Sequence, residues 1–515
     1  MAAIGIDFGT TYSGVTIYRN GLAENVTFEG GCDTSESVVL FDGEQEPKCG
    51  KNATCVMTTN SANVVFDFKR MIGRRPDDPN LDPLSNNWPF AVHIENGKFK
   101  VEVTDQGERK LYTPEEIAGI YLKYLKEMTL RQLKETPIET VVVGVPASYL
   151  AAERMATKEA CDYAGLPNVT LIKEPVAAIL SKSCDLSEEG KHYLVFDFGG
   201  GTFDVSIVRI ESRVFSVICI DGDSHLGGRD IDNALCDHVR KKFEEHNKIK
   251  LELDRENMIR IRLECEKIKR RLSEAEKSDI YISNFHNEIP LKMTITRALF
   301  ERITESIYQR TLEITRRIMR TANMTHENID KVLLVGGSTR IPRVKTLLSD
   351  EFGAEKISNI LHPDLAVMHG AARYADHLCR RERNLFSDRL ISDVQPHAIG
   401  LKAENGKFCR LIEPNTTLPV SVIRYGSTTR ENQSQVTISV YEGTNELAES
   451  CHFLGTVTID GIPNAKPGVP VIRIQMNIDN SGILKVTANL EGHDRKGELE
   501  LDVSETVNAR TFEMS

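Results

Sequence analysis

The sequence predicts an α/β protein built from two similar halves and followed by a smaller antiparallel β domain. Residues 4–18 read IGIDFGTTYSGVTIY and residues 194–208 read LVFDFGGGTFDVSIV. Both segments run from an apolar strand through Asp-Phe-Gly and a glycine/threonine turn into a second apolar strand, which indicates an internal duplication. From residue 395 the pattern changes to short alternating strands separated by Asn-Gly, Asp-Gly and Ser-Gly turns, which is typical of an antiparallel sheet.

The two hairpin turns have the composition of a phosphate cradle. Glycine lets the backbone turn tightly and leaves successive N–H groups free to face oxyanions. Threonine hydroxyls add donors, and the aspartates that lead the turns, Asp7 and Asp197, can hold a hydrated divalent cation. Either turn alone could be an ordinary glycine-rich β-turn, but this alternative would have to hold at both copies.

A third segment, VLLVGGSTRIPRVKTLL at 332–348, has an apolar strand, a glycine pair and an amphipathic helix. Glycine at a strand end with Ser or Thr at a helix start suits a phosphate or one face of a nucleotide. The P-loop and Rossmann fingerprints GxxxxGK[ST] and GxGxxG do not occur. Helices are predicted at 114–135 and 255–278. The basic cluster Lys267–Arg271 has glutamates close by on both sides, which favours a solvated helix face or contacts to a single nucleotide over nucleic-acid binding.

Composition excludes several classes of protein. The formal net charge is -11, so broad attraction to nucleic acid or anionic lipid is not expected. No apolar run approaches the ~20 residues that span a bilayer, and the N-terminal residues do not form a secretory signal. The 11 cysteines are scattered without CxxC motifs, which predicts free thiols in the reducing cytoplasm.

The later chain divides into three parts. The charged segment RRERNLFSDRLISDV at 380–394 indicates a linker. The strands that follow place Val436, Ile438 and Val440 on one face, and the run Ile472–Ile478 alternates in the same way. The predicted domains are therefore 1–380, a linker at 381–394, a β domain at 395–503 and a short tail at 504–515.

These motifs, taken in order, resemble the DnaK-type, 70-kDa heat-shock chaperone family from residue 3 to about 503. The matching segments are IGIDFGTTYSGV, DFKRMIGRRPDDP, KEPVAA, FDFGGGTFDVSIV, GDSHLGGRDID, ECEKIKRRLS, LVGGSTRIPRV, NTTLPV and IDNSGILKVTA. The resemblance implies an actin-like (duplicated RNase H-like) ATPase domain followed by an antiparallel β-sandwich peptide-binding domain. In length and architecture the chain is similar to the short cytosolic members that have no helical lid and work with a J-domain protein at the ribosome.

The resemblance also implies roles for individual residues in binding ATP or ADP with Mg²⁺. Asp7 and Asp197 would hold Mg²⁺ through its waters, and Thr202 would bond the γ-phosphate. Lys69 would touch the γ-phosphate and orient the attacking water, which Glu174 would support. Taken singly, Lys69 could be a surface lysine and Glu174 a helix N-terminus. The other implied nucleotide-binding positions are Gly9, Thr10, Thr11, Tyr12, Gly199, Gly200, Gly201, Gly228, Glu266, Lys269, Arg270, Ser273, Gly336, Gly337, Ser338, Arg340 and Asp364.

The function that the resemblance implies is slow ATP hydrolysis that controls the binding of extended unfolded or nascent polypeptide. The implied peptide groove contains Leu401, Val436, Ile438 and Ile472. A J-domain cochaperone and a nucleotide-exchange factor would be partners, and the ribosome is a further candidate. Direct contact with nucleic acid or membrane is not expected.

The sequence departs from the family pattern at several positions. Leu150–Glu153 stand where the family usually has polar residues, which puts the usual interdomain contacts in doubt, and Arg229 replaces an acid. Arg389 and Ser392 interrupt a usually apolar linker core. Glu404 and Thr429 stand where the family usually places an apolar arch over the peptide, and Gly426 replaces a larger side chain. These departures predict weak or altered peptide holding.

Two alternative functions stay open at this point. The first is an ATP-bound scaffold for a J-domain protein with little hydrolysis. The second is a sugar kinase with the same actin-like core, but it would leave residues 395–503 without a role.

Overall fold

The computed structural model describes residues 2–501 except for 20–21, 44–45, 75, 77–87, 96, 135, 182–188, 212–213, 252–254, 359–361, 383–390, 480–481, 483 and 494–495. The helices in this part of the chain are α1 Lys51–Thr54, α2 Pro114–Leu133, α3 Ala151–Tyr163, α4 Glu174–Ser181, α5 Gly228–Asn247, α6 Arg255–Leu272, α7 Arg297–Thr321, α8 Pro342–Phe352 and α9 Ala366–Glu382.

The strands form several sheets. They are β1 Ala2–Asp7, β2 Tyr12–Arg19, β3 Leu22–Asn25, β4 Thr34–Glu36, β5 Val38–Leu40, β6 Lys48–Cys49, β7 Val64–Phe66, β8 Ala91–Glu95, β9 Lys98–Asp105, β10 Glu108–Tyr112, β11 Ile138–Val145, β12 Val169–Lys173, β13 His192–Phe198, β14 Phe203–Glu211, β15 Val214–Asp223, β16 Lys277–His286, β17 Ile289–Thr296, β18 Lys331–Val335, β19 Ile357–Ser358, β20 Ile391–Ser392, β21 Val394–Gln395, β22 Ala398–Lys402, β23 Phe408–Ile412, β24 Thr416–Thr417, β25 Val420–Gly426, β26 Gln435–Gly443, β27 His452–Asp460, β28 Ile472–Ile478, β29 Leu484–Leu490 and β30 Lys496–Leu501.

Two mixed sheets repeat the same strand order. In the first sheet the order is β12-β11-β1-β2-β3, and in the second sheet it is β19-β18-β13-β14-β15. We call the part of the chain that packs around the first sheet the first lobe, and the part that packs around the second sheet the second lobe. In each lobe an antiparallel hairpin, β1–β2 or β13–β14, lies beside two parallel strands from later in the chain. The internal duplication predicted from the two hairpin sequences is therefore visible in the topology.

Helix α9 packs against helix α4 and strands β1 and β11, close to where the two lobes meet. The backbones approach so closely that a Cβ atom at Gly370 would lie 1.6 Å from Ala177 O. A Cβ atom at Gly5 in β1 would lie 2.0 Å from the backbone nitrogen of Ala372 in α9. Only glycine fits at such crossings.

Local sequence signals account for the element ends. Thr113 and Glu116 form a capping box before α2, with proline at the first helical position. The helix predicted at 255–278 ends earlier, at Leu272, so that prediction is wrong at its C-terminal end. The reason is that Lys277–His286 pairs with β17 and alternates buried and exposed residues, as a half-buried strand does.

The later chain forms two four-stranded antiparallel sheets, β23-β22-β26-β27 and β25-β28-β29-β30. Their inner faces share one hydrophobic core, so they form a sandwich. Alternate residues of β28 are buried from Ile472 to Ile478, as the sequence predicted. In β26 Ile438 and Val440 are buried, while Val436 is partly buried.

The predicted linker is described only at its two ends. Residues 383–390, including Arg389, lie outside the described residues. Ile391–Ser392 form β20, which pairs with β15 of the second lobe in parallel. No helix in the described part of the chain combines the length and apolar character that crossing a bilayer requires.

Candidate active site

The two glycine/threonine turns lie against each other at the ends of β1 and β13. A Cβ atom at Gly200 would lie 2.1 Å from Thr11 Oγ1, and one at Gly201 would lie 2.5 Å from Thr10 Oγ1. Thr11 Oγ1 is buried and has no hydrogen-bond partner among the described residues. The fold thus brings together the two turns that the sequence singled out, and leaves a buried hydroxyl between them available for a ligand.

The second turn is held by two further segments. The Gly228 N–H donates to Gly199 O at 2.9 Å, and the Arg229 N–H donates to Gly200 O at 2.8 Å. Ser338 Oγ, from the third segment predicted in the sequence, donates to Gly199 O at 2.9 Å. These bonds fix the backbone of the turn. The Thr202 carbonyl accepts from the Gly199 N–H at 3.1 Å.

Buried carboxyl groups surround the turns. Burial and the neighbouring Glu174 raise the pKa of Asp7 to about 7. Burial, followed by Glu174 and Asp204, raises the pKa of Asp197 well above its ordinary value. Burial and Glu174 also raise the pKa of Asp204 to about 7. Because the buried carboxyl groups outnumber the cations near them, their protonated forms are favoured. A divalent cation would supply the missing positive charge, so the cluster suits one.

Two observations bear on how such a cation would be held. Asp197 Oδ2 and Asp204 Oδ2 are buried without a hydrogen-bond partner in the described structure. No group of three or more His, Cys, Asp or Glu side chains among the described residues is arranged to ligate a metal ion directly. The orphaned carboxylate oxygens fit a hydrated Mg²⁺.

Lys69 is the cation of this cluster. It lies in a short 3₁₀ turn, Phe68–Arg70, and is 5% exposed, so it is not a surface lysine. Its Nζ donates to Glu174 Oε1 at 2.9 Å and to the carbonyl of Phe8. Glu174 is the first residue of α4. Lys69 and Glu174, which were predicted to act together, therefore form a buried ion pair next to the first turn.

The residues predicted around the adenosine form a second group. Tyr12 Oη donates to Glu266 Oε1 at 3.2 Å, and Arg270 Nη1 donates to Tyr12 Oη at 3.1 Å. Lys269 Nζ donates to Gly228 O at 3.1 Å. A cavity of about 190 Å³ opens beside this group. Its wall includes Thr11, Tyr12, Val38, Met57, Phe66, Arg229, Arg262, Glu266 and Arg270.

The predicted residues on the far side of the second turn are Gly336, Gly337, Arg340 and Asp364. Arg340 Nη2 and Asp364 Oδ2 pair at 2.6 Å, and a Cβ atom at Gly337 would lie 3.1 Å from Asp364 Oδ1. Gly336 has a φ of 81°, in the left-handed region that favours glycine. Ser273 Oγ donates to Lys269 O at 3.5 Å. Gly9 lies in the first turn, where its N–H donates to Ser13 Oγ at 3.1 Å.

Comparison with known proteins identifies the family. The family model described as Hsp70 protein matches residues 3–514. The chain belongs to the Hsp70 family. A Heat shock 70 kDa protein of Neurospora crassa is 37% identical over 499 residues, which cover 96% of this chain and 77% of that relative. Hsp70 proteins are ATPases and chaperones that have an actin-like domain followed by a β-sandwich domain.

The residues predicted to form a peptide groove lie in or against the core of the sandwich. Leu401 and Val436 pack against that core and are partly exposed. Ile438 is 8% exposed and Ile472 only 1%. Ile438 and Ile472 come from opposite sheets, and both side chains are buried in the core that the sheets share.

The β sandwich contacts the ATPase lobes through side chains that the sequence did not single out. The buried Glu442 accepts from the Ala151 N–H at 2.8 Å and from Gln395 Nε2 at 3.0 Å. His397 Nε2 lies 2.7 Å from Ser148 O. In the predicted linker, Asp393 Oδ1 accepts from Lys173 Nζ at 2.8 Å. Contact at Ala151 uses the backbone, so the unusual side chains at 150–153 do not prevent it.

Sequence reasoning missed several charged residues of the site. Asp204 follows the second turn within the FDFGGGTFD motif, and this position was the available signal. Asp67 precedes Lys69 by two positions and pairs with Arg229 and Arg262. No local pattern could have indicated these pairs, because the partners are far apart in the sequence.

Proposed function

We propose that this Hsp70 protein hydrolyses ATP and uses the energy to control its hold on extended, unfolded polypeptide. The observation that carries the proposal is the convergence of both glycine/threonine turns on the buried Lys69–Glu174 pair. A kinase for small molecules has no comparable support, since it would leave the sandwich and its contacts with the lobes unexplained.

The chemistry of this site is mainly positioning and charge stabilisation. Mg²⁺ held through water by Asp7 and Asp197 would neutralise charge on the phosphates. The backbone N–H groups of the two turns bind phosphate oxygens, and Thr202 contributes a hydroxyl. Lys69 adds a positive charge whose position is fixed by Phe8 O and Glu174. The second oxygen of Glu174 orients the attacking water.

Coupling to the peptide runs through the contacts between the lobes and the sandwich. Strand β20 joins β15, and Glu442 joins the start of α3. While these contacts hold, Ile438 and Ile472 stay buried in the sandwich. Loss of the contacts after hydrolysis would free the sandwich to grip an extended segment by main-chain bonds and side-chain pockets.

The same proposal places the protein in the cytoplasm with a J-domain cochaperone and a nucleotide-exchange factor as partners. Unfolded or nascent polypeptide is the client. The domain assignment follows the sequence, with the ATPase domain at 1–380 and the sandwich at 395–503.

Single-turnover hydrolysis of ATP with Mg²⁺ tests the proposal, with the variant Lys69→Met as control. We expect the variant to bind ATP and to hydrolyse it at least a hundredfold more slowly than the wild type. Binding of a fluorescent unfolded peptide should be weaker in ATP than in ADP. Equal hydrolysis rates for the two proteins would reject the ATPase cycle. Tight ATP binding without turnover in the wild type would instead favour the scaffold alternative.

A further inference from the structure

Arg229 is buried between the two lobes. It is the second residue of α5 and is 7% exposed. Its Nε donates to Asp67 Oδ1 at 3.0 Å. Asp67 directly follows β7, whose side chains belong to the core of the first lobe. The ion pair therefore connects the second lobe to the first.

Asp67 has a second partner from the second lobe. Its Oδ2 accepts from Arg262 Nη2 at 2.7 Å, and Arg262 lies on α6 with its guanidinium 4.4 Å from the centre of the Phe66 ring. Burial alone would raise the pKa of Asp67, but Arg229, Arg262 and Arg70 outweigh burial and hold it well below its usual range. A carboxylate this strongly stabilised stays charged at neutral pH.

Arg229 also reaches the residues proposed to bind nucleotide. Its Nη1 lies 3.6 Å from Glu266 Oε2, and Glu266 Oε1 accepts from Tyr12 Oη. Arg229, Glu266 and Tyr12 all line the cavity of about 190 Å³ between the lobes. One guanidinium thus joins the interlobe pair to the wall of the nucleotide site.

We propose that Arg229 is a positioning residue that holds the lobes closed on bound adenine nucleotide and thereby slows nucleotide release. The inference rests on the proposed function, because it concerns the same site. Release requires the lobes to separate, which would pull Asp67 away from both arginines. Breaking a buried ion pair is costly because each charge loses its partner before water replaces it. An acid at 229 would face the carboxylate of Asp67 and remove this restraint.

The test is stopped-flow release of an N-methylanthraniloyl derivative of ADP from the full chain. We expect Arg229→Glu to release the nucleotide at least tenfold faster than the wild type. Arg229→Lys, which keeps the charge but not the planar fork, should lie between them. Arg240→Glu is the matched control, since Arg240 lies on the same helix with a solvent-exposed ion pair and undergoes the same charge change. Its release rate should equal that of the wild type.

Two further measurements distinguish a failure of the inference about Arg229 from a failure of the proposed function. Single-turnover hydrolysis should stay within threefold of the wild type in Arg240→Glu, because Arg240 lies in a solvent-exposed ion pair and not in the cavity wall. Hydrogen exchange at 64–70 in the nucleotide-free protein should be faster in Arg229→Lys than in Arg240→Glu. Release rates within twofold for all variants, or equal exchange at 64–70, would overturn the inference. Absence of nucleotide binding in the wild type would reject the proposed function itself.

Discussion

Replacing Lys69 by methionine tests the centre of the site, since methionine keeps most of the side-chain volume and removes the charge. Lys69 and Glu174 are 5% and 8% exposed, and their Nζ–Oε1 distance is 2.9 Å. Removing one partner of a buried pair costs roughly 3–5 kcal/mol. We therefore expect Lys69→Met to lose roughly 3–5 kcal/mol of unfolding free energy.

Urea unfolding of the nucleotide-free protein at about pH 7.3 measures this loss. The matched variant is Glu174→Gln, and the double variant completes a cycle. The sum of the losses of unfolding free energy in the two single variants should exceed the loss in the double variant by at least about 2 kcal/mol, because the double variant leaves neither charge unpaired. Hydrolysis should not recover in the double variant, since both of the side chains proposed to assist hydrolysis are gone. A loss below about 1 kcal/mol in Lys69→Met would refute the buried-pair reasoning.

Three further predictions concern the turn, the buried acid and the docked sandwich. Gly200→Ala should weaken ATP binding at least tenfold by calorimetry, because its Cβ would collide with Thr11 Oγ1, whereas Gly199→Ala, with its nearest contact at 3.5 Å, should lose less. Burial and Glu174 raise the pKa of Asp204 to about 7 in the folded protein, whereas an ordinary aspartate has a pKa of about 4. Between these two pH values the native state holds a proton that the unfolded state has lost. The free energy of unfolding therefore falls with rising pH by up to about 1.4 kcal/mol per unit. Asp204→Asn should flatten this part of the curve in urea titrations at several pH values, and an unchanged slope would contradict the assignment. Glu442→Gln places an amide N–H₂ group against one of two donors, the Ala151 N–H or Gln395 Nε2, and the lost hydrogen bond costs about 1–3 kcal/mol. Hydrogen exchange at the 150–153 amides should therefore accelerate. Unchanged exchange would count against this contact.

Much of the lobe architecture could be predicted from the sequence because an internal duplication repeats the same motif in both halves. The two hairpins around Asp7 and Asp197 recur with the same motif, and the structure gives them the same neighbours in each sheet. The Lys69–Glu174 pair was named through resemblance to the family. Its geometry in the fold makes that assignment physically reasonable, because both side chains are buried behind the first turn.

Other features depend on contacts that no local pattern records. The alternation in β26 and β28 predicts which side chains share a face, but it does not distinguish an open groove from a closed core. Ile438 and Ile472 lie in the closed core. The Asp67–Arg229 pair joins positions in different lobes, and the sequence showed only that Arg229 was unusual. The early end of α6 at Leu272 reflects the pairing of β16 with β17, which overrides the helical spacing.

The crossing of α9 and α4 has a mechanical consequence. At Gly370 the two backbones touch without any intervening side chain, so the helices there can turn about one another but cannot move closer. A methyl group added at this point would act as a wedge beside the pivot. Because Ala177 lies three residues after Glu174 on α4, a wedge at this crossing would tilt the helix whose first residue is Glu174. Substitution of Gly370 would then disturb the Lys69–Glu174 pair without touching either side chain.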